Sequence, residues 1–136
     1  MKIYADGGAF PNPGKKVICV ICVFPDEKKE IVKEMGYGTN SDAEYEAFIE
    51  ALKLAREWGL KRFTLCSDSM LVLKQLSGEL RIKQLKFYSY KEQFDKLKEN
   101  FDEIDFEWIR GDKNPAHNKI ETLFPNQVKM FSFKRQ

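Results

Sequence analysis

The sequence predicts an α/β domain, and three observations carry that prediction. Three strand-like runs follow one another at the start with only turn residues between them. From residue 39 onward, helical patterns alternate with two more apolar runs. The chain has 136 residues, 43% hydrophobic and 13% aromatic, enough to bury one ordinary core without staples.

Ile3-Tyr-Ala5 is apolar on both faces, as a central strand is, and it ends in Asp6. Gly7, Gly8 and Asn12-Pro13-Gly14 then read as flexible backbone followed by a turn. A carboxylate in such a strand is costly unless it is paired, protonated or metal-bound. Asp6 therefore reads either as an acid facing a ligand or as the start of a turn. The glycines would let another backbone, such as a ligand's, come close.

Val17 to Phe24 is the second strand, and Pro25 to Lys29 a turn cluster. Glu30 to about Gly38 is the third strand, completing an antiparallel meander. Its Glu30, Lys33 and Glu34 among Ile31, Val32 and Met35 suit an edge strand.

Thr39 to Asp42 opens a helix that runs to Trp58 and stops at Gly59. Ala43, Ala47, Phe48, Ala51, Leu52, Leu54 and Ala55 form its core-facing stripe, with Glu46, Glu50, Lys53 and Glu57 expected outward. Glu44 falls with the stripe, which points an acid toward the sheet. The competing reading is a Ser41-x-x-Glu44 capping box.

Lys61 to Cys66 is the fourth strand, followed by Ser67-Asp68-Ser69 and a helix from Met70 to Leu76 that ends at Gly78. An acid at the C-terminal end of a strand, just before a helix, sits where open α/β sheets bind ligands. Asp68 or Ser69 would equally serve as an N-cap. In the next stretch Arg81, Lys83, Lys86, Lys91, Lys96 and Lys98 are interleaved with Phe87, Tyr88 and Tyr90, which suits either a phosphate-backbone track or a solvated helix face.

Ile104 to Ile109 is the fifth strand and Arg110 to Ala116 a loop. Asn114-Pro115 makes an N-cap and first position for a helix through Phe124. Glu121 lies in that helix beside Ala116, Ile120 and Leu123, and Pro125 stops it. Residues 1–124 are expected to form the domain. The tail 125–136 is too apolar for an ordinary solvated end, and is expected to pack on the domain or on a partner subunit, giving a dimer in the second case.

Net charge is +2, too mild by itself to announce a nucleic-acid partner. No apolar run approaches membrane-spanning length, and Met1 leads straight into the first strand without room for a signal peptide, so a cytoplasmic location is expected. Cys19 and Cys22 point to opposite faces of their strand, and with a single histidine, His117, the three cysteines read as thiols rather than as a zinc site.

Taken together, four blocks resemble the type 1 ribonuclease H family, from about Lys2 to Leu123. They are Tyr4-Ala-Asp-Gly-Gly8 with Asn12-Pro-Gly14; Thr39-Asn-Ser-Asp-Ala-Glu-Tyr-Glu-Ala47; Ser67-Asp-Ser-Met-Leu-Val-Leu-Lys-Gln-Leu-Ser-Gly78; and Trp108-Ile-Arg-Gly111 with Asn118-Lys-Ile-Glu121. The resemblance implies a five-stranded mixed sheet, three antiparallel strands and then two parallel additions, with helices on both faces. It maps the family's four catalytic, metal-holding carboxylates onto Asp6, Glu44, Asp68 and Glu121. Three departures stand out. The family's last acid is usually Asp, Pro11 stands where Gly is common, and Gly111-Asp112 occupies the loop where many members carry a mobile histidine. His117, one helical turn before Glu121, is the candidate proton shuttle.

The activity implied is endonucleolytic hydrolysis of the RNA strand of RNA/DNA hybrids by two-metal-ion catalysis with Mg²⁺ or Mn²⁺, leaving 3′-hydroxyl and 5′-phosphate ends. Backbone near Gly7, Gly8 and Asn12, with Asn40 and Glu44, would contact the 2′-hydroxyl, and Ser69, Lys83 and Lys86 complete the expected substrate-binding set. Electrostatics favour cations: two bare carboxylates about 4 Å apart repel by roughly 4 kcal/mol at an effective dielectric near 20. The alternatives are a hybrid-binding module without turnover, or another nuclease on the same fold, such as a transposase or exonuclease.

Overall fold

The computed structural model describes residues 1–124, so the expected packing of tail 125–136, and a dimer through it, lie outside the described residues. The strands are β1 (Lys2–Phe10), β2 (Gly14–Val23), β3 (Lys28–Gly38), β4 (Arg62–Ser67) and β5 (Glu103–Trp108). The helices are α1 (Asn40–Glu57), α2 (Met70–Ser77), α3 (Tyr88–Lys98) and α4 (Pro115–Leu123). The sheet order is β3-β2-β1-β4-β5. The first three strands pair antiparallel, while β4 joins β1 and β5 joins β4 in parallel. This is the mixed five-stranded sheet expected, with β3 at its edge.

Alternation along β1 and β2 builds two cores. Ile3, Ala5, Ile18, Val20 and Cys22 face α1, α2 and α3, where they meet Phe48, Leu52, Leu73, Leu76 and Phe94. Tyr4, Cys19 and Ile21 face the other way, against Ala116 and Ile120 of α4. Cys19 and Cys22 thus lie on opposite faces, as their spacing predicts, and all three cysteines are buried free thiols. Among the described residues no helix is long and apolar enough to cross a membrane.

Three local expectations are corrected. β1 does not end at Asp6 but runs on to Phe10, because β2 continues the ladder past it, with Gly7 opposite Ile18 and Gly8 opposite Val17. The backbone that comes close to Gly7 is the protein's own: a Cβ there would lie 2.3 Å from the carbonyl oxygen of Ala43 in α1.

The capping box of α1 is formed by Thr39 and Asp42, not by Ser41 and Glu44. The Thr39 hydroxyl accepts from the Asp42 N–H at 3.2 Å, and Asp42 accepts from the Thr39 N–H at 3.0 Å. Thr39 wins because it holds the extended backbone (φ −102°, ψ 169°) that an N-cap requires, and Ser41 is already helical.

Glu46 and Glu50 do not face outward. The long antiparallel strands reach beneath that flank of α1, where Lys16 of β2 pairs with Glu46 and Lys33 of β3 with Glu50. Lys16 and Glu50 are themselves buried. Within the lysine-rich stretch, residues 79–84 are irregular, Leu85–Phe87 is a single 3₁₀ turn, and α3 follows.

Candidate active site

Asp6 sits on β1 on the face covered by α4, two residues beyond Tyr4, whose ring packs against Ala116 and Ile120. Asp68 follows the last residue of the neighbouring parallel strand β4. Its backbone is anchored from β5, where the Trp108 indole N–H donates to the Asp68 carbonyl at 3.1 Å. The two acids therefore emerge side by side from the two central parallel strands.

Asn114, wholly shut off from solvent, ties this arrangement to α4. Its side-chain oxygen accepts from the Ala116 N–H at 3.1 Å and caps the helix, with Pro115 at the first position. Its amide group donates to the Ala5 carbonyl at 3.2 Å and to Asp68 Oδ1 at 2.9 Å. One side chain thus joins β1, the end of β4 and the start of α4.

The cap fixes where α4 begins, and so where His117 points. Its Nδ1 lies 3.3 Å from Asp6 Oδ2 and 3.8 Å from Asp68 Oδ2. The ligand atoms of Asp6, Asp68 and His117 all fall within 4.8 Å of one another. On the far side of the ring, Nε2 is 3.2 Å from Glu121 Oε1, one turn along α4. Glu121 is the outermost of the four, its side chain 43% exposed against 14% for Asp6. Glu44 is not among the residues whose ligand atoms fall within 4.8 Å of one another; its carboxylate accepts from the hydroxyl of Ser69, next in the chain to Asp68, at 2.6 Å.

The electrostatics follow from this crowding. Burial pushes the Asp6 carboxyl up to about 6, with the hydrogen bond from His117 opposing it and the charge of Asp68 adding to it. His117 is pushed up to about 9, chiefly by its hydrogen bond to Asp6 and against the cost of its own burial. The approach of the His117 ring to the two aspartates, at 3.3 and 3.8 Å, favours its imidazolium form.

Among the expected substrate-contacting residues, Asn12 and Asn40 form a chain. Asn40 Oδ1 accepts from the Ala9 N–H at 2.8 Å, and Asn12 Oδ1 accepts from the Asn40 N–H at 3.0 Å. Gly8 adjoins them, since a Cβ there would lie 3.6 Å from Asn40 Oδ1. Lys83 is exposed on the irregular stretch, and Lys86 is exposed with its ammonium 4.8 Å from the Phe87 ring centre. Sequence reasoning recognised Asn114 only as a cap and named Trp108 only as the first residue of a motif block, with no role at Asp68. The burial of Asn114 and the hydrogen bonds of both residues to the Asp68 segment depend on contacts distant in the chain, which no sequence signal marks.

This sheet order, with acids projecting from its two central parallel strands, defines a ribonuclease H-like α/β protein. A family model described as reverse transcriptase-like matches residues 20–119. A ribonuclease HI of Helicobacter pylori is 31% identical over 124 residues, covering 88% of this chain and 85% of that protein. The chain belongs to the ribonuclease H family. RNase H1 of the halophilic archaeon Halobacterium salinarum matches with a TM-score of 0.82 at 28% identity, over 91% of this chain and 97% of that one. LC11-RNase H1, solved in complex with an RNA/DNA hybrid, matches with a TM-score of 0.76 at 29% identity, over 83% of this chain and 87% of that one. Mycobacterial relatives at 30% identity are longer, and the chain spans 33% of their length.

Proposed function

We propose that this protein is a metal-dependent endoribonuclease that hydrolyses the RNA strand of RNA/DNA hybrids. The observation that carries the reading is the convergence of Asp6 and Asp68 from adjacent parallel strands into one group with His117, all ligand atoms within 4.8 Å. Family membership and a structural relative bound to a hybrid support the choice of substrate.

The donor set fits divalent cations. Carboxylate oxygens are hard ligands suited to Mg²⁺ or Mn²⁺, and Asp6, pushed up by burial and by Asp68, is a charge that the protein alone stabilises poorly. Asp6, Glu44, Asp68 and the His117–Glu121 pair are the residues that would hold metal. When bound, such cations supply an acidified attacking water and charge compensation at the leaving 3′-oxygen, which gives 3′-hydroxyl and 5′-phosphate ends.

The remaining residues position the substrate. Asn12 and Asn40 spend their side-chain oxygens on backbone N–H groups, and among the described residues neither amide NH₂ has an acceptor, so both are donors for a ribose 2′-hydroxyl beside Gly8. Ser69 holds Glu44 in place. Because the recognised features belong to backbone and sugar, base identity is expected to matter little.

The test is cleavage of end-labelled RNA/DNA hybrid, double-stranded RNA and double-stranded DNA in Mg²⁺, Mn²⁺ or EDTA, with the ends mapped. Cutting confined to the RNA strand of the hybrid and abolished by EDTA is expected. Hybrid binding without cutting in either metal would make the protein a binding module, and cutting of double-stranded DNA would make it a different nuclease.

A further inference from the structure

The resemblance places a fourth carboxylate at Glu121, yet the side chain that reaches the two aspartates from α4 is His117. Its Nδ1 is 3.3 Å from Asp6 and 3.8 Å from Asp68. Glu121 meets this group only through the ring, at Nε2. We propose that His117 Nδ1 is itself a metal ligand, and that Glu121 is the positioning residue that fixes the imidazole. The proposal rests on the metal-dependent reading above and deepens it.

Three features support this division of roles. A carboxylate that accepts from one ring nitrogen leaves the other as the ligand and sets the ring's orientation, a recurrent arrangement at metal–histidine sites. The ring is carried by the first turns of a helix whose start is pinned by buried Asn114, and that same Asn114 holds Asp68, so ligand and ligand share one anchor. Gly111 packs beside both groups: a Cβ there would be in ordinary van der Waals contact, 3.4 Å from Asp68 Oδ2 and 3.7 Å from His117 Nε2.

The chemical consequence is a mixed donor set, in which one imidazole nitrogen joins the carboxylates of Asp6 and Asp68, with Glu44 as a further oxygen donor. Mg²⁺ keeps to oxygen donors, whereas Mn²⁺ accepts both oxygen and imidazole nitrogen and stands within the series whose affinity rises for such sites. The site is accordingly selective for Mn²⁺ over Mg²⁺. A histidine committed to the metal through Nδ1 is also not free to shuttle protons with that nitrogen.

The test is made on the full chain without nucleic acid. Calorimetry gives Mn²⁺ and Mg²⁺ affinities, and pulsed electron paramagnetic resonance of bound Mn²⁺ detects coupling to a directly bonded ¹⁴N. The wild type is expected to show that coupling and to prefer Mn²⁺ by about tenfold or more. His117→Asp, which keeps a metal-binding carboxylate, is expected to bind Mn²⁺ without the coupling and to lose most of the preference. Glu121→Gln, which keeps an acceptor for Nε2–H, is expected to retain the coupling with affinity weakened by about tenfold.

Thermal melts establish that each variant is folded, and His117→Ala provides a second chain without nitrogen should the aspartate variant fail that check. Bound Mn²⁺ without nitrogen coupling in the wild type, coupling that persists in His117→Asp, or an unchanged Mn²⁺ preference would each overturn the proposal. Cleavage of hybrid with no nitrogen coupling would sink this inference alone, whereas nitrogen coupling with no cleavage of any duplex would sink the proposed activity alone.

Discussion

Asn114 reaches Asp68 Oδ1 at 2.9 Å from a position wholly closed to solvent, while its own oxygen caps the helix that carries His117. Removing the side chain costs the cap, about 1 kcal/mol, and deprives the buried Ala5 carbonyl and the part-buried Asp68 carboxylate of a donor, for about 1–3 kcal/mol more. Asn114→Ala is expected to lose about 3 kcal/mol in urea unfolding. Asn114→Ser keeps the cap but not the reach, so it should recover about 1 kcal/mol. Equal losses in the two variants would mean that the cap contributes nothing here.

Asp42 and Glu44 lie two residues apart on α1 and are expected to fail in opposite ways. Asp42 holds the capping box and accepts from the Tyr90 hydroxyl at 2.9 Å, so Asp42→Ala should cost about 1–2 kcal/mol while the folded protein still cuts. Glu44→Gln keeps an acceptor for Ser69 and should melt within about 0.5 kcal/mol of the wild type, yet lose cleavage. Urea melts and hybrid cleavage on both variants check the pair. Loss of stability without loss of cleavage in Glu44→Gln would remove Glu44 from the site.

The Asp42 contribution also has a pH signature. Burial alone would raise its carboxyl, but the Thr39 N–H and hydroxyl and the Tyr90 hydroxyl outweigh that and hold it below the usual value. The folded pKa is thus depressed. Its stabilisation is present above the unfolded value, about 3.9, and is lost as pH falls through the lower folded one. The stability gap between wild type and Asp42→Ala should be constant from pH 7 to 5 and shrink below about pH 4. A gap that widens on acidification would contradict the assignment.

Lys16 and Glu46 form an ion pair with side chains 8% and 16% exposed, and Glu46 Oε2 is buried with no hydrogen-bond partner among the described residues. Lys16→Ala should strand that charge, at about 3–5 kcal/mol, whereas Lys16→Met with Glu46→Leu should restore most of the loss. Chemical denaturation of the three proteins decides this. A single variant as stable as the wild type would show that water already screens the pair.

Lys83 and Lys86 are exposed without an ion-pair partner among the described residues, while Lys91 is engaged with Asp95 and the Leu76 carbonyl. If the first two contact phosphates, changing each to Ala should reduce the log–log salt slope of hybrid binding by about 0.7–0.9, and Lys91→Ala should leave it unchanged. Binding isotherms at several salt concentrations test this, and an unchanged slope in all three would make the stretch a solvated face.

Asp6 and Asp68 stood out in the sequence as acids in a strand or just past its end, each with a turn or N-cap reading beside it, and only the resemblance of the four blocks joined them; their convergence rests on the parallel pairing of β1 with β4. Glu44 was ambiguous because two capping patterns overlap by two residues, Thr39-x-x-Asp42 and Ser41-x-x-Glu44, and only the backbone angles at Thr39 separate them. The burial of Glu46 and Glu50 was hidden for another reason: a helical period reports which flank is polar, not whether a neighbouring strand extends beneath it with lysines. The place of His117 depends on how α4 is rotated on the sheet, which Asn114 sets through contacts 46 and 109 residues distant in the chain. No local pattern carries that information.

The contact between Gly7 and Ala43 has a mechanical reading as well. Where strand and helix touch through intervening side chains, rotamer changes can absorb a displacement; here main chain rests directly on main chain, and any Cβ at residue 7 would intrude on the Ala43 carbonyl oxygen. Asp6 is the residue before one side of that contact and Glu44 the residue after the other. The seam therefore acts as a gauge block, holding the spacing between two acids from different elements to the tolerance of a van der Waals radius. A single methyl group inserted there would work as a shim, prising the two apart without altering either of them.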